Sequence, residues 1–532
     1  MTDRPELEGM PRVGSISGPE IARPGPPQRV RDARAAFRAA LPPDLVLDDR
    51  EVIERRYLRN VTGLARDVPM VILPRSEDDV RLIVRLANRH CVALYPVSTG
   101  RNWGLGSKLP VQDGCAVVDL SRMSRIVEVN EEFGYAILEP GVTQLDLADH
   151  LRQHHPGLTL NFTGSFGLTS IVGNTLDRGD GLSARIHDLL GVRGILGCGD
   201  PFRAGGIWSN VGTGEPSHHT RYVAGPDLAA LFSQSNFGIV TQLAFKLIHK
   251  APRTYLLWGV VPDVQLEEAV TTLRRLAQQG VVDLQKAQLG YGNRFVHARD
   301  VRSTQEQPGW LYYLHVAGTT RVADAVARDV FESMGPLSSP GGVFDPDRDP
   351  ESDLPVALHP IVKLLRGRPD TDSIQIVYRM TGTPLPEDPR DLDADAPPFG
   401  MKCVVAMVPF SSRHVRALEG IVATVRERGV AVKASIYGDG RVLVTIPFRR
   451  DDPAEAALAQ RAEATLWDGL RRKGFAPYRV AIDRMHSLVE RDPEFFDVVA
   501  KIKAALDPRG VVAPGRYAPL EGRDGSAPPR AK

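Results

Sequence analysis

An α+β protein in two regions of different rhythm is predicted by three observations. A glycine-rich stretch, Ser98 to Lys108 (STGRNWGLGSK), lies between two apolar runs, Cys91 to Pro96 and Cys115 to Leu120, and so joins strand to strand. The segment before it reads strand, helix, strand. Beyond about residue 250 the pattern changes to strand–helix units and then to β-α-β-β-α order, the signature of an antiparallel sheet backed by helices.

Taken in order, residues 1–40 are rich in Pro, Arg and Gly, lack the apolar core of a secretory signal, and read as a flexible leader with a short helical patch at Ala35 to Leu41. Asp48 to Asn60 is a second helical patch. Val71 to Leu73 is a short strand, and Pro74, Ser76 and Glu77 open a helix whose apolar positions Val80, Ile83, Val84 and Ala87 recur at helical spacing. Ile126 to Asn130 and Tyr135 to Glu139 are strands, followed by a helix through Leu145, Leu147, Ala148 and Leu151. Short strands and glycine turns are expected through Gly164 to Gly167 and Gly173-Asn174. A strand from Ile239 to Ile248 closes the first domain.

The second region has strands at Tyr255 to Val261, Trp310 to Val316, Cys403 to Val408, Val430 to Tyr437 and Val442 to Phe448. Helices alternate with them at Leu266 to Ala277, Val322 to Met334, Val415 to Arg428 and up to Arg472. Ser338 to Leu354 and Pro384 to Pro398, dense in Pro, Asp and Gly, are loops. Near the end, a helix from Phe496 to Leu506 is stopped by Asp507-Pro508-Arg509-Gly510.

Composition excludes several classes. With 532 residues, 42% hydrophobic and 25% charged, the chain is an ordinary globular one. A net charge of +1 gives no global field for nucleic acid or an anionic membrane. No stretch approaches the roughly 18 consecutive apolar residues of a membrane span. The four cysteines are far apart with no C-x-x-C pair, which fits a reducing cytoplasm. The adjacent pairs His154-His155 and His218-His219 are poor chelates, because neighbours on a strand point to opposite faces, so no metal is expected. No G-x-S-x-G elbow is present.

The glycine loop carries the chemistry. Gly100, Gly104 and Gly106 allow positive φ and close approach of backbone amides to a phosphate or pyrophosphate; the alternative is a wide turn with no ligand. The dinucleotide-fold fingerprint does not fit, since that motif leads from a strand into a helix.

Six stretches in order resemble the vanillyl-alcohol oxidase and 4-cresol dehydrogenase family of FAD enzymes: PVSTGRNWGLGS, ILEPGVT, GNTLDRG, GPDLAALFSQSNFGIVT, PYR at Pro477 to Arg479, and LDPRGVVAPGR. The resemblance implies a two-part FAD-binding domain at residues 65–250, an antiparallel-sheet, helix-backed cap at 251–474 and a C-terminal return at 475–518, before a flexible tail at 519–532. It implies cofactor contacts from Ser98, Thr99, Gly100, Arg101, Asn102, Gly104, Leu105, Gly106 and Ser107 of the loop. Pro140, Gly141, Gly164, Ser165, Ser170, Gly173, Asn174, Gly238, Ile239, Val240 and Arg516 complete that set. Tyr478 and Arg479 match two of the three positions of the family's phenolate clamp and are the catalytic candidates.

The chain departs from the family at three places. Leu105 stands where the clamp has a loop Tyr, Ser165 where the oxidase has an Asp beside the flavin, and Lys402 falls at or beside the position of the covalent histidyl link. FAD is therefore expected to be held non-covalently. The implied activity is that of an FAD-dependent oxidoreductase, transferring a hydride from a small organic substrate, aromatic and alcohol types included, to a flavin that O₂ or a separate acceptor reoxidises. The alternative is a flavin-fold protein without redox turnover that binds a ligand or partner. A homo-oligomer is compatible with the sequence, and His315, Tyr437 and Asp439 are further acid–base candidates on cap elements.

Overall fold

The computed structural model describes residues 26–164, 166–291, 309–369, 378, 384, 395 and 399–519. Ser165 and most of the Pro384 to Pro398 segment lie outside them, as do residues 1–25 and 520–532. Three main sheets organise the chain. The first has four strands in the order Val46–Leu47, Val71–Ile72, Ala116–Asp119, Leu94–Val97, with its last three strands parallel. The second has five antiparallel strands in the order Ile126–Asn130, Tyr135–Leu138, Gly238–Lys246, Leu189–Leu196, Pro201–Ala204.

The helix Glu77–His90 starts where the sequence places it. Ser76 accepts from the Asp79 amide while the Asp79 carboxylate accepts from the Ser76 amide, a reciprocal cap. Its periodic face, Val80, Ile83, Val84 and Ala87, is buried against the first sheet. The leader is shorter than expected: Pro26–Ala40 is one helix, and its Ala33 and Phe37 are buried in the same core. A second difference lies at Gly173-Asn174, which sit in a helix, Ile171–Leu176, rather than in a strand or turn. Ser170 caps that helix by accepting from the Gly173 amide, a local bond that residue propensity does not announce. The strand Leu189–Leu196, absent from the sequence reading, is the central partner of Gly238–Lys246.

The third sheet is the cap. Its eight strands run Gly341–Phe344, Arg253–Val261, Trp310–Gly318, Ala287–Tyr291, Lys433–Tyr437, Arg441–Arg449, Phe399–Met407, Ala476–Arg479, antiparallel throughout. Alternation decides what each face does. Val404, Ala406, Val442, Val444, Ala434, Ile436 and Leu314 pack on the helices Leu266–Gln278, Thr320–Met334, Ser412–Arg426 and Pro453–Arg472. The intervening residues face the first domain. Ala476–Arg479 is the edge strand of this sheet, so the return to the first domain begins after Arg479 and not at residue 475.

The tail is fastened by a buried ion pair. Asp507, fully buried, accepts from the Lys503 ammonium and from the amides of Val511 and Val512, while Lys503 also donates to the carbonyls of Asn236 and Val512. This is the physical content of the LDPRG stretch. Leu94 then pairs with Val511 and Ala513, closing the first sheet with the last part of the chain. Asp507→Ala takes the carboxylate away from the buried Lys503 ammonium and from the Val511 and Val512 amides, and is expected to cost about 3–5 kcal/mol. Urea denaturation of the variant checks this; a midpoint unchanged from the wild type would show the pair to be dispensable.

Candidate functional site

A cavity of about 440 Å³ lies where the glycine loop, the helix Ile171–Leu176 and the inner face of the cap sheet meet. Three motif pieces are locked together around it. The Ser170 amide donates to Thr99 Oγ1 (3.1 Å), Ser170 Oγ donates to the Pro140 carbonyl (2.6 Å), and a Cβ on Gly173 would lie 2.2 Å from Ser98 Oγ. The close packing of helix on loop therefore requires glycine at 173. Ser98, Thr99, Gly100, Arg101, Asn102, Leu105 and Ser107 line the cavity, with Pro140, Gly164, Ser170, Gly173, Asn174, Gly238, Val240 and Arg516.

Four expected contacts are placed elsewhere. Gly104 and Gly106 have φ of 74° and 123°, but a Cβ on them would meet Cys403 Sγ at 2.4 Å and Ile482 at 2.8 Å. They let the loop pass against the cap and the returning tail, and they do not line the cavity. Gly141 packs on the Ser121 carbonyl, where a Cβ would sit at 2.2 Å, and Ile239 is buried in the core of the first sheet. Ser165 lies outside the described residues.

The wall is polar and incompletely paired. Arg101 Nε, Trp103 Nε1, Asn174 Oδ1 and Asn236 Oδ1 are buried, belong to lining residues and have no hydrogen-bond partner among the described residues. Buried polar atoms are rarely left so, and their donor and acceptor mix suits a ligand such as FAD, rich in both. The fit of the residues to that group is thus good on the loop side.

Arg479 lines the cavity but is not a free cation. It donates to Asp177 (2.6 Å) and to Asn102 Oδ1 (2.8 Å), and Arg516 donates to the other Asp177 oxygen (2.8 Å) and to the Ser235 carbonyl. Burial opposes the charge of Arg479, but Asp177, with Tyr517 and Asp180, outweighs it and holds its pKa above the ordinary guanidinium value. Tyr478 does not line the cavity. It falls at the irregularity in the pairing of Ala476–Arg479 with Phe399–Met407 and packs with Leu443 on the cluster of Trp103, Phe166 and Cys403. Burial raises its pKa, so its phenol stays protonated.

The cap contributes Cys403, Leu443, Thr445, Lys433, Ser435, Tyr437, Gln288, Tyr313 and His315. His315 is neutral, because burial and then Lys286 lower its pKa to about 3. Tyr313 donates to Gln288, and the Arg441 guanidinium lies 4.4 Å over the Tyr437 ring while it pairs with Asp180 and Asp439. Asp439 therefore serves Arg441 and does not line the cavity. Lys402 points to the helix face, where it pairs with buried Glu463 at 3.0 Å; its neighbour Cys403 faces the site, and burial pushes that thiol up to about 12. Among the described residues no group of His, Cys, Asp and Glu could hold a metal ion, and no helix is long and apolar enough to cross a membrane.

Sequence reasoning passed over Asp177, Asp180, Asn236, Gln288, Tyr313 and Lys433. Asp177 stands inside the quoted GNTLDRG, and its signal was an acidic residue amid glycines. The cap residues gave none, because alternation identifies two faces without saying which one meets the first domain.

The comparisons with known proteins agree on one relationship. Residues 68–205 match the FAD binding domain family. The 1'-carboxy-chondrochloren decarboxylase of Chondromyces crocatus is 30% identical over 541 residues, 92% of this chain and 97% of that protein. The 4-cresol dehydrogenase [hydroxylating] flavoprotein subunit of Pseudomonas putida is 26% identical over 521 residues, 90% of this chain and 94% of that one. A crystal structure of p-cresol methylhydroxylase with substrate bound superposes with a TM-score of 0.79 at 22% identity, covering 93% of this chain and 98% of that chain.

The buried imidazoles make stability depend on pH. His315 at about 3 and His218 at about 4, both lowered chiefly by burial, lie below the ordinary value near 6.5. Between those values the unfolded chain binds protons that the folded chain refuses, so stability is full above about pH 6.5 and falls as pH drops below it. Urea midpoints should decline from pH 7.5 to pH 5, less steeply in His315→Gln. An equal decline in the variant would remove His315 from the account.

Proposed function

We propose, from the premise that this chain belongs to the vanillyl-alcohol oxidase and 4-cresol dehydrogenase family of FAD-linked oxidoreductases, that it oxidises a small organic substrate of aromatic or alcohol type inside the cavity beneath the cap. Bound FAD supplies the hydride acceptor, regenerated by O₂ or a separate electron acceptor. The observation that carries the reading is the two-sided wall: glycine backbone and unpartnered polar atoms on one side, protonated phenols, a neutral imidazole and an ammonium on the other.

In this reading Ser98 to Asn102, Ser107, Pro140, Gly164, Ser170, Gly173, Asn174, Gly238, Val240 and Arg516 hold the cofactor. Arg479 closes the seam between cofactor and substrate, fixed by Asp177 and Asn102, and Tyr478 supports it from the adjoining cluster. Apolar Leu105 and the turned-away Lys402 favour a substrate other than a simple 4-alkylphenol and a flavin held without a covalent bond. The names of the two relatives denote different reactions, decarboxylation and dehydrogenation, and both are compatible with oxidation at the substrate carbon.

The purified protein is expected to be yellow, or to become so with FAD, and to bleach with dithionite under nitrogen. Trichloroacetic acid should give a colourless pellet and a yellow supernatant. A colourless protein that cannot be loaded would refute the oxidoreductase reading, whereas a yellow pellet would refute only the non-covalent attachment.

A further inference from the structure

Among the described residues, the inner wall of the cap holds a charge with nothing to balance it. Lys433 lines the cavity on the strand Lys433–Tyr437, whose alternate residues Ala434 and Ile436 face the helices. No hydrogen bond or ion pair engages its ammonium among the described residues. The described carboxylates that share the cavity are already taken: Asp177 by Arg479 and Arg516, Asp180 by Arg441. A lysine placed against such a wall without a counter-ion loses hydration and gains no partner, and burial accordingly lowers its pKa. Such an arrangement is stabilised when a ligand brings the missing charge.

Cross-strand register shows where that charge would sit. Lys433 pairs with Thr445, and Thr445 pairs with Cys403, so the three form one row across adjacent strands. Cys403 in turn abuts Gly104 of the glycine loop. With strands about 4.8 Å apart, Lys433 stands roughly 10 Å from Cys403 along the cap sheet. Thr445 contributes a hydroxyl within that row, and Ser435, the next residue on the same face, a second. Ser435 heads the adjoining row, whose other two members, Leu443 and Val405, are apolar.

We propose that Lys433, with the Thr445 and Ser435 hydroxyls beside it, is the subsite for a carboxylate on the substrate, and that the enzyme selects compact organic acids with an apolar skeleton. This rests on the reading of the cavity as the substrate chamber of an FAD enzyme. Lys433 is here a specificity residue that binds the substrate's anionic end while oxidation takes place elsewhere on the molecule. A charge-assisted contact of this kind discriminates strongly between an acid and its neutral isostere.

The test uses FAD-loaded protein and two probes of equal shape, benzoate and benzamide, titrated calorimetrically at neutral pH. Benzoate is expected to bind at least about tenfold more tightly. Lys433→Met and Lys433→Gln should erase the difference while benzamide binding stays, Lys433→Arg should retain part of it, and Lys286→Met, at the other end of the wall, should retain all of it. The absence of a difference in the unmodified protein would overturn the proposal, a comparison that stands even if both Lys433 variants fail to fold. A difference that survives Lys433→Met, or that disappears with Lys286→Met instead, would overturn it equally. Dithionite bleaching of the same preparations separates these failures from failure of the FAD reading.

Discussion

A single buried carboxylate joins the three parts of this molecule. Asp177 ends the short helix that packs on the glycine loop, Arg479 lies on the edge strand of the cap, and Arg516 belongs to the returning tail. Two guanidinium groups share the one carboxylate, and the surplus positive charge is met partly by Asn102 Oδ1 and the Ser235 carbonyl. The glycine loop, the cap and the tail are therefore positioned by one electrostatic contact whose members are far apart in sequence. Removing a member of such a cluster leaves buried charge uncompensated, which is why the geometry of the whole cavity depends on it.

The same division governs the two walls. The first domain offers backbone and polar atoms in fixed positions, held by caps and carbonyl contacts such as Ser170 to Pro140. The cap offers side chains, one from every second residue of each strand, and these can change without disturbing the helix-facing residues between them. In the proposed reading, cofactor binding rests on segments whose packing tolerates little, and substrate choice on positions that can change without disturbing the helix-facing side of the sheet.

Much of this was legible in the sequence because the informative residues were local. The strand Val442 to Phe448, the helical spacing of Val80, Ile83, Val84 and Ala87, and the stop at Asp507 to Gly510 each read correctly from neighbours alone. The glycines read less well. Gly104 and Gly106 have the positive φ expected of a phosphate cradle, yet their missing side chains make room for Cys403 and Ile482. A sequence shows that a glycine is required at a point in a loop but not which side of the loop imposes the requirement. Lys433 was invisible for a related reason: whether an alternating lysine faces solvent or a chamber is decided by what lies across from the sheet.

The pairing of Leu94 with Val511 and Ala513 has a consequence for how the protein is made. A ribosome releases the strand Leu94–Val97 early, yet the segment that covers its open edge emerges more than four hundred residues later. At about 5–20 residues per second that interval is roughly 20–80 s, during which an apolar parallel strand has one row of backbone groups unpaired. Nascent chains of this protein therefore carry a sticky edge for most of their synthesis, and truncation near the C-terminus converts a transient hazard into a permanent one.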